Sequence, residues 1–176
     1  TKSGTNTPAG SAHFFFKEDS LSWENSDGEK FPYNQQQFGA TFGGPVKRDR
    51  LFFLLAYDQQ GFDQQKQLDP ARIEQRVVDL FARLGSAEEN GPIDRTNDAR
   101  VFLGKLDYQA NASNLFTLRY NYTWSEQQNG TFDVDSWGRS ANAVERGFSN
   151  AVSGSLASTL SGTMLNELRF QFARED

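Results

Sequence analysis

The sequence contains no cysteine, a single histidine and no run of about 18 apolar residues. The lack of cysteine excludes disulfides and thiolate metal sites, and it leaves the cellular compartment unindicated. The lack of a long apolar run excludes a membrane-spanning helix. A net charge of −5 argues against nucleic acid as a partner.

Residues arranged for catalysis are also lacking. His13 lies between Ala12 and Phe14 on a predicted strand, where a polar side chain facing water is expected rather than a catalytic base. Asp133-Val134-Asp135 offers oxygen ligands for calcium, but the further spaced acids and the glycine of a defined calcium loop are missing. We therefore expect no enzyme, no metal site and no cofactor.

The sequence is instead rich in aromatic residues within a polar background. Only 36% of the residues are hydrophobic and the mean hydropathy is −0.69, yet 14% are aromatic, including 16 phenylalanines. A water-soluble domain this polar is usually poor in aromatic residues. A transmembrane β-barrel is polar on average because half of each strand faces water and the outer loops are long.

The stretch Leu115–Ser125 shows how these residues are arranged. Apolar and polar residues alternate throughout it, and successive side chains of a strand point to opposite faces. The stretch therefore predicts a strand with one apolar face, which we expect to face lipid and which consists of Phe116, Leu118, Tyr120, Tyr122 and Trp124.

Weaker forms of this alternation recur along the chain and predict about seven strands. The connections between them alternate between long and short, so all long connections of an up-and-down meander lie at one end. The first long connection carries a net charge of −3, whereas the turn Lys47–Arg50 carries +2. Long outer loops and short periplasmic turns are typical of outer-membrane barrels. The predicted strands are Ser11–Lys17, Gln36–Phe42, Leu51–Asp58, Arg100–Gln109, Leu115–Ser125, Phe148–Leu160 and Leu165–Arg174.

One helix is predicted within the second long connection, over Asp69–Gly85. Asp69 suits the N-cap, Pro70 suits the first helical position and Gly85 suits the end. Apolar residues at helical spacing form a stripe that needs a surface to pack on, either other loops or a partner. This stripe consists of Ile73, Val77, Leu80 and Leu84.

Several segments resemble the TonB-dependent outer-membrane receptors. Thr1–Asn6, followed by Gly10-Ser11-Ala12, is similar to the start of the first barrel strand after the plug of these receptors. Gln37–Val46, which reads QFGATFGGPV, resembles a block typical of the Oar-like branch, together with the basic turn and the aromatic strand after it. Leu165–Phe170 resembles a later strand of that branch.

This resemblance implies a barrel of about 22 strands with a plug filling its lumen. Residues 1–176 then form an all-β, antiparallel, up-and-down portion of that transmembrane barrel, with the helix in a long external loop. The expected location is the bacterial outer membrane, with the long loops extracellular. The expected partners are outer-membrane lipid, the protein's own plug and remaining strands, and a TonB-type energy-coupling protein that binds segments outside this chain.

The polar positions of the strands are expected to face the lumen. They are candidates for contacts with the plug, with one another or with a transported ligand. The candidates are Lys105, Asp107, Arg119, Asn121, Glu167 and Arg169.

Three functions remain open at this point. The first is energised uptake of a ligand by a TonB-dependent transporter or receptor. The second is a structural or adhesive outer-membrane barrel. The third is a water-soluble, secreted β-sandwich that binds carbohydrate through exposed tryptophan and tyrosine.

Overall fold

The chain forms one antiparallel sheet in a computed structural model that describes residues 4–21, 23, 30, 32–66, 71, 73–85, 89–130 and 138–176. Within these residues, seven strands and one α-helix account for most of the chain. The strands are β1 Ala9–Glu18, β2 Tyr33–Lys47, β3 Leu51–Lys66, β4 Ile93–Asn111, β5 Asn114–Gln128, β6 Val144–Ser161 and β7 Met164–Glu175, and the helix is α1 Gln75–Arg83.

The strands pair in the order in which they occur along the chain, from β1 to β7, and every pair is antiparallel. Tight turns at residues 48–50, 112–113 and 162–163 lie at one end of the sheet, and the three longer connections lie at the other. The prediction of an all-β antiparallel meander with one helix is confirmed. A sandwich needs a second sheet, and the described strands form only one. Among the described residues, no helix is long and apolar enough to cross a membrane.

Most strands extend further than the alternation indicates, above all at the end with the long connections. β3 continues from Asp58 to Lys66, and β4 begins at Ile93 rather than near Arg100, so that Lys66 and Ile93 are still paired. These extensions carry polar residues on both faces, as in Gln59-Gln60 and Gln64-Gln65. Backbone hydrogen bonds between strands do not require an apolar face. The alternation of apolar and polar residues in the sequence therefore underestimates the length of the strands.

The helix is shorter than predicted because it begins at Gln75, after the extended residue Glu74, rather than near Pro70. The predicted cap Asp69 and Pro70 itself lie outside the described residues. Glu74 makes no capping hydrogen bond through its side chain. The helix ends at Arg83, and Gly85 follows with a φ of +80°, which a glycine adopts easily.

The expected apolar stripe of the helix is largely exposed to solvent. Val77, Leu80 and Leu84 are exposed, which corrects the expectation of packing on other loops of this chain, whereas packing of the stripe on a partner stays a prediction. Only Ile73, just before the helix, is buried, and it packs with Ile93 at the start of β4. These two are the only buried hydrophobic side chains in the described parts of the chain. The sheet itself thus encloses no apolar core.

Two of the long connections contact each other at their end of the sheet. The buried carboxylate of Glu89 accepts hydrogen bonds from the Ser140 backbone N–H, at 3.2 Å from both oxygens, and from the Ser140 hydroxyl at 2.5 Å. The Arg139 guanidinium donates to the carbonyl oxygen of Pro92 at 2.6 Å. These bonds join the connection before β4 to the connection before β6.

Candidate functional site

The register of the strands separates two faces of opposite character. In one row across five strands, Phe53, Leu106, Leu118 and Phe170 share a face, with Gly154 between the last two. We call this the apolar face, and its aromatic and aliphatic members include Phe14, Phe38, Phe42, Phe53, Leu55, Tyr57, Phe102, Leu106, Tyr108, Phe116, Leu118, Tyr120, Tyr122, Trp124, Leu156, Leu168, Phe170 and Phe172.

The other face, called the polar face, consists of the positions between these. In the neighbouring row, Lys105 pairs with Arg119, Arg119 with Ser153 and Ser153 with Gln171. All six predicted polar candidates lie on this face, so the structure brings Lys105, Asp107, Arg119, Asn121, Glu167 and Arg169 to one side of the sheet.

The polar face is the more buried of the two, which is the reverse of a water-soluble protein. On β4, Asp107 is 6% exposed, whereas its neighbours Leu106 and Tyr108 are 41% and 43% exposed. On β5, Leu118 is 51% exposed while Arg119 beside it is half-buried. On these central strands, large apolar side chains therefore point away from the protein, and the charged Asp107 and Arg119 point towards it.

The predicted lipid-facing residues of β5 all lie on the apolar face. Phe116, Leu118 and Tyr120 are exposed, and Tyr122 and Trp124 are partly covered by their neighbours. From Phe116 to Trp124 the strand rises about 26 Å, and a tilt of about 40° reduces this to about 20 Å along the membrane normal. This height is close to the apolar band of an outer-membrane barrel, about 25 Å tall.

Aromatic and cationic side chains meet at the upper end of this band, towards the long connections. The Arg100 guanidinium lies 4.9 Å from the ring centre of Trp124, and that of Arg174 lies 5.8 Å from the ring of Phe148. Closer to the middle of the band, the Tyr120 hydroxyl donates to Asn150 Oδ1 at 2.7 Å. Amphipathic rings and long basic side chains are typical of the boundary between lipid and water.

Two charges of the polar face form a largely buried ion pair along β4. Lys105 Nζ lies 2.9 Å from Asp107 Oδ2, and each side chain is 9% exposed. Asp107 Oδ1 also accepts a hydrogen bond from the Thr117 hydroxyl at 2.7 Å. Breaking such a pair leaves an uncompensated charge, so these residues hold each other in place.

The other predicted polar residues pair within their own strands. Arg119 Nε donates to Asn121 Oδ1 at 3.0 Å on β5, and Arg169 Nε lies 2.7 Å from Glu167 Oε1 on β7. The candidates thus form three separate pairs, each between residues two positions apart. They do not converge on a catalytic arrangement.

A further polar contact, between His13 and Asp58, was not predicted from the sequence. His13 Nε2 lies 3.0 Å from Asp58 Oδ2, although the two residues belong to β1 and β3. Gly39 of β2 lies between them in the register, and the contact passes over it because glycine has no side chain. Gln37 donates a second hydrogen bond to Asp58, at 3.0 Å. Only the three-strand register shows this contact, and the sequence gives no separate signal for it.

The segment before β1 also lies on the polar face, near the short turns. Gly4 lies against the side chain of Phe52, and Gly4 and Thr5 line a small groove with Leu54. Asn6 holds the segment on the β2–β3 turn, because its amide donates to Asp49 Oδ1 at 2.6 Å and its Oδ1 accepts from the Asp49 N–H at 2.9 Å.

The described residues include no group of three or more acidic or histidine side chains that could hold a metal ion. The calcium candidate Asp133-Val134-Asp135 lies outside the residues that the structure describes.

Comparison with known proteins agrees with the inverted burial. Residues 1–85, which contain β1 to β3 and α1, match the family model described as "Outer membrane beta barrel domain". No curated protein and no solved structure matches the chain. The first three strands are therefore similar to an outer-membrane β-barrel domain, and this match supports an outer-membrane location.

Proposed function

We propose that this chain is the first part of the barrel of a TonB-dependent outer-membrane transporter of the Oar-like branch, which takes up a ligand with energy supplied from the inner membrane. The observation that carries the membrane part of this proposal is the inverted burial. An exposed face of phenylalanine, leucine and tyrosine is stable in lipid, and a face of paired charges suits a water-filled or plugged lumen.

The unpaired edges of the sheet support a larger barrel. Among the described strands, β1 and β7 each pair on one side only. In lipid, every backbone N–H and C=O group needs a partner, so an open sheet edge is not stable there. We propose that further strands of the same barrel pair with β1 and β7.

The position of Gly4 and Thr5 supports a plug inside the barrel. These two residues lie on the polar face beside the short turns before β1 begins, so the chain approaches the sheet from the side that we assign to the lumen. A plug that precedes the barrel and occupies its lumen fits this position. Energy coupling through a TonB-type protein completes the proposed transporter.

Single cysteine variants test the assignment of the two faces, since the chain has no cysteine of its own. In outer membranes, a thiol at Leu118 should react with a lipid-soluble maleimide and resist a charged one. A thiol at Ser153, on the polar face, should show the opposite preference. Equal reaction of both thiols with the charged reagent in folded protein would contradict the barrel.

Transport and adhesion are separated by their energy requirement. Cells with and without the protein are compared for solutes removed from the medium, in the presence and absence of a protonophore. Energised uptake predicts removal that depends on the protein and stops with the protonophore. A structural or adhesive barrel predicts surface attachment or envelope changes that depend on the protein and persist when the membrane is de-energised.

A further inference from the structure

Two cations face each other in the middle of the polar face. Lys105 of β4 and Arg119 of β5 are direct partners in the register. Like charges at directly opposed positions destabilise a sheet unless other groups compensate. Asp107 compensates Lys105 through the ion pair described above. Among the described residues, Arg119 bonds only to the neutral Asn121, whose Oδ1 accepts a hydrogen bond from its Nε.

Hydroxyl groups surround the uncompensated Arg119. Ser153 of β6 is its direct partner on the other side, and Ser155 is the next residue of the polar face on that strand. Within the described residues, neither hydroxyl has a hydrogen-bonding partner, and neither do the two Nη atoms of Arg119. These side chains line an open groove of about 510 Å³ together with Lys105, Gln171 and Arg169.

The charges of this groove do not cancel. Three cations, at Lys105, Arg119 and Arg169, are opposed by two carboxylates, at Asp107 and Glu167. The excess positive charge is on the one cation that lacks a carboxylate partner. A planar guanidinium presents parallel N–H donors that match two oxygens of a carboxylate, phosphate or sulfate.

We propose that this groove binds an oxyanion, with Arg119 as the principal ligand and the hydroxyls of Ser153 and Ser155 as further donors. The oxyanion is either a free inorganic ion or the anionic group of a larger solute that passes through the lumen. Lys105 and Arg169 attract it without being its closest contacts, since each is already paired. This inference rests on the proposed function, because it requires the polar face to be accessible to water.

The test is titration of the full protein in detergent micelles with inorganic phosphate and with glycerol 3-phosphate, with sodium chloride at equal ionic strength as the reference. We expect saturable binding of at least one phosphate compound and none of chloride. Tighter binding of inorganic phosphate indicates a site for the free ion, and tighter binding of the ester indicates a site for a solute group.

Variants identify the ligand residue. Arg119→Gln should weaken phosphate binding about tenfold or more, because it removes charge-assisted hydrogen bonds. Arg119→Lys should retain part of the affinity, since it keeps the charge but loses the planar pair of donors. The matched control is Arg100→Gln, which removes an arginine from the apolar face and should leave binding unchanged.

Absence of saturable phosphate binding by the unmodified protein would overturn the inference. So would equal losses in Arg119→Gln and Arg100→Gln. Each variant must first show the same folded gel mobility as the unmodified protein. If the thiol at Ser153 reacts as a lumen residue but phosphate does not bind, the anion site is wrong and the barrel stands. If that thiol reacts only with the lipid-soluble maleimide, the proposed function itself is wrong.

Discussion

Leu118→Arg is the substitution that best separates a membrane sheet from a water-soluble one. Leu118 lies on the apolar face, 51% exposed, two residues from the middle of the band that runs from Phe116 to Trp124. Two residues correspond to about 7 Å along the strand and about 5 Å along the membrane normal. The substituted arginine would therefore lie near the bilayer midplane.

The two environments give different magnitudes for this change. An arginine near the midplane on the lipid face of a barrel lowers the free energy of unfolding by about 2–4 kcal/mol. An arginine at a half-exposed surface position in water changes stability by about 0.5 kcal/mol or less. The difference exceeds the error of an equilibrium measurement, so a single variant distinguishes the two cases.

The assay is urea unfolding of the full protein folded into phospholipid vesicles, followed by tryptophan fluorescence. Thr123→Arg is the matched control, because Thr123 belongs to the same strand but to the polar face. We expect Leu118→Arg to lower the free energy of unfolding by about 2–4 kcal/mol and Thr123→Arg to lower it much less. Equal effects of the two arginines would refute the assignment of the apolar face to lipid.

Two further predictions concern the polar face and the long connections. Gly39→Ala should lower the free energy of unfolding by about 1–2 kcal/mol in the same assay, because the added methyl group would meet the His13 ring and the Asp58 carboxylate. The control is Gly104→Ala, whose methyl group makes only ordinary contacts and should change the free energy of unfolding by less than about 0.5 kcal/mol. Ile73→Asp should speed cleavage of the helical connection by external protease about tenfold or more without unfolding the sheet, because Ile73 is buried. Leu80→Asp, at an exposed position, should leave the cleavage rate unchanged. Cleavage only from the periplasmic side would show that the topology is inverted.

The faces of the strands were predictable from the sequence because they depend only on local alternation. Phe116 to Trp124 occupy alternate positions, and strand geometry alone places them on one side. The three short turns then determine the pairs β2–β3, β4–β5 and β6–β7, since tight turns join antiparallel neighbours. The other three pairs were predicted from the alternation of long and short connections, which is typical of an up-and-down barrel.

The contacts that depend on register could not be predicted. His13 and Asp58 are 45 positions apart in the sequence and on different strands, and they meet only because Gly39 aligns between them. The opposition of Lys105 and Arg119 likewise depends on the bulge near Gln109 that sets the β4–β5 register. The start of the helix at Gln75 could not be predicted, because Glu74 before it is not a preferred capping residue and makes no capping hydrogen bond through its side chain.

The extension of the strands beyond the apolar band has a consequence for the cell surface. Gln60–Lys66 remains paired with residues 93–99 beyond the level of Arg100 and Trp124, and β2 and β5 pair beside this extension as far as Gln64 and Thr96. Seven residues extend about 23 Å, or about 18 Å at the usual tilt. If the long connections lie outside the cell, as their length predicts, this extension would rise through the sugar layer of the lipopolysaccharide. The connection that it carries would then meet large solutes, phages or neighbouring cells before any of them reached the lipid.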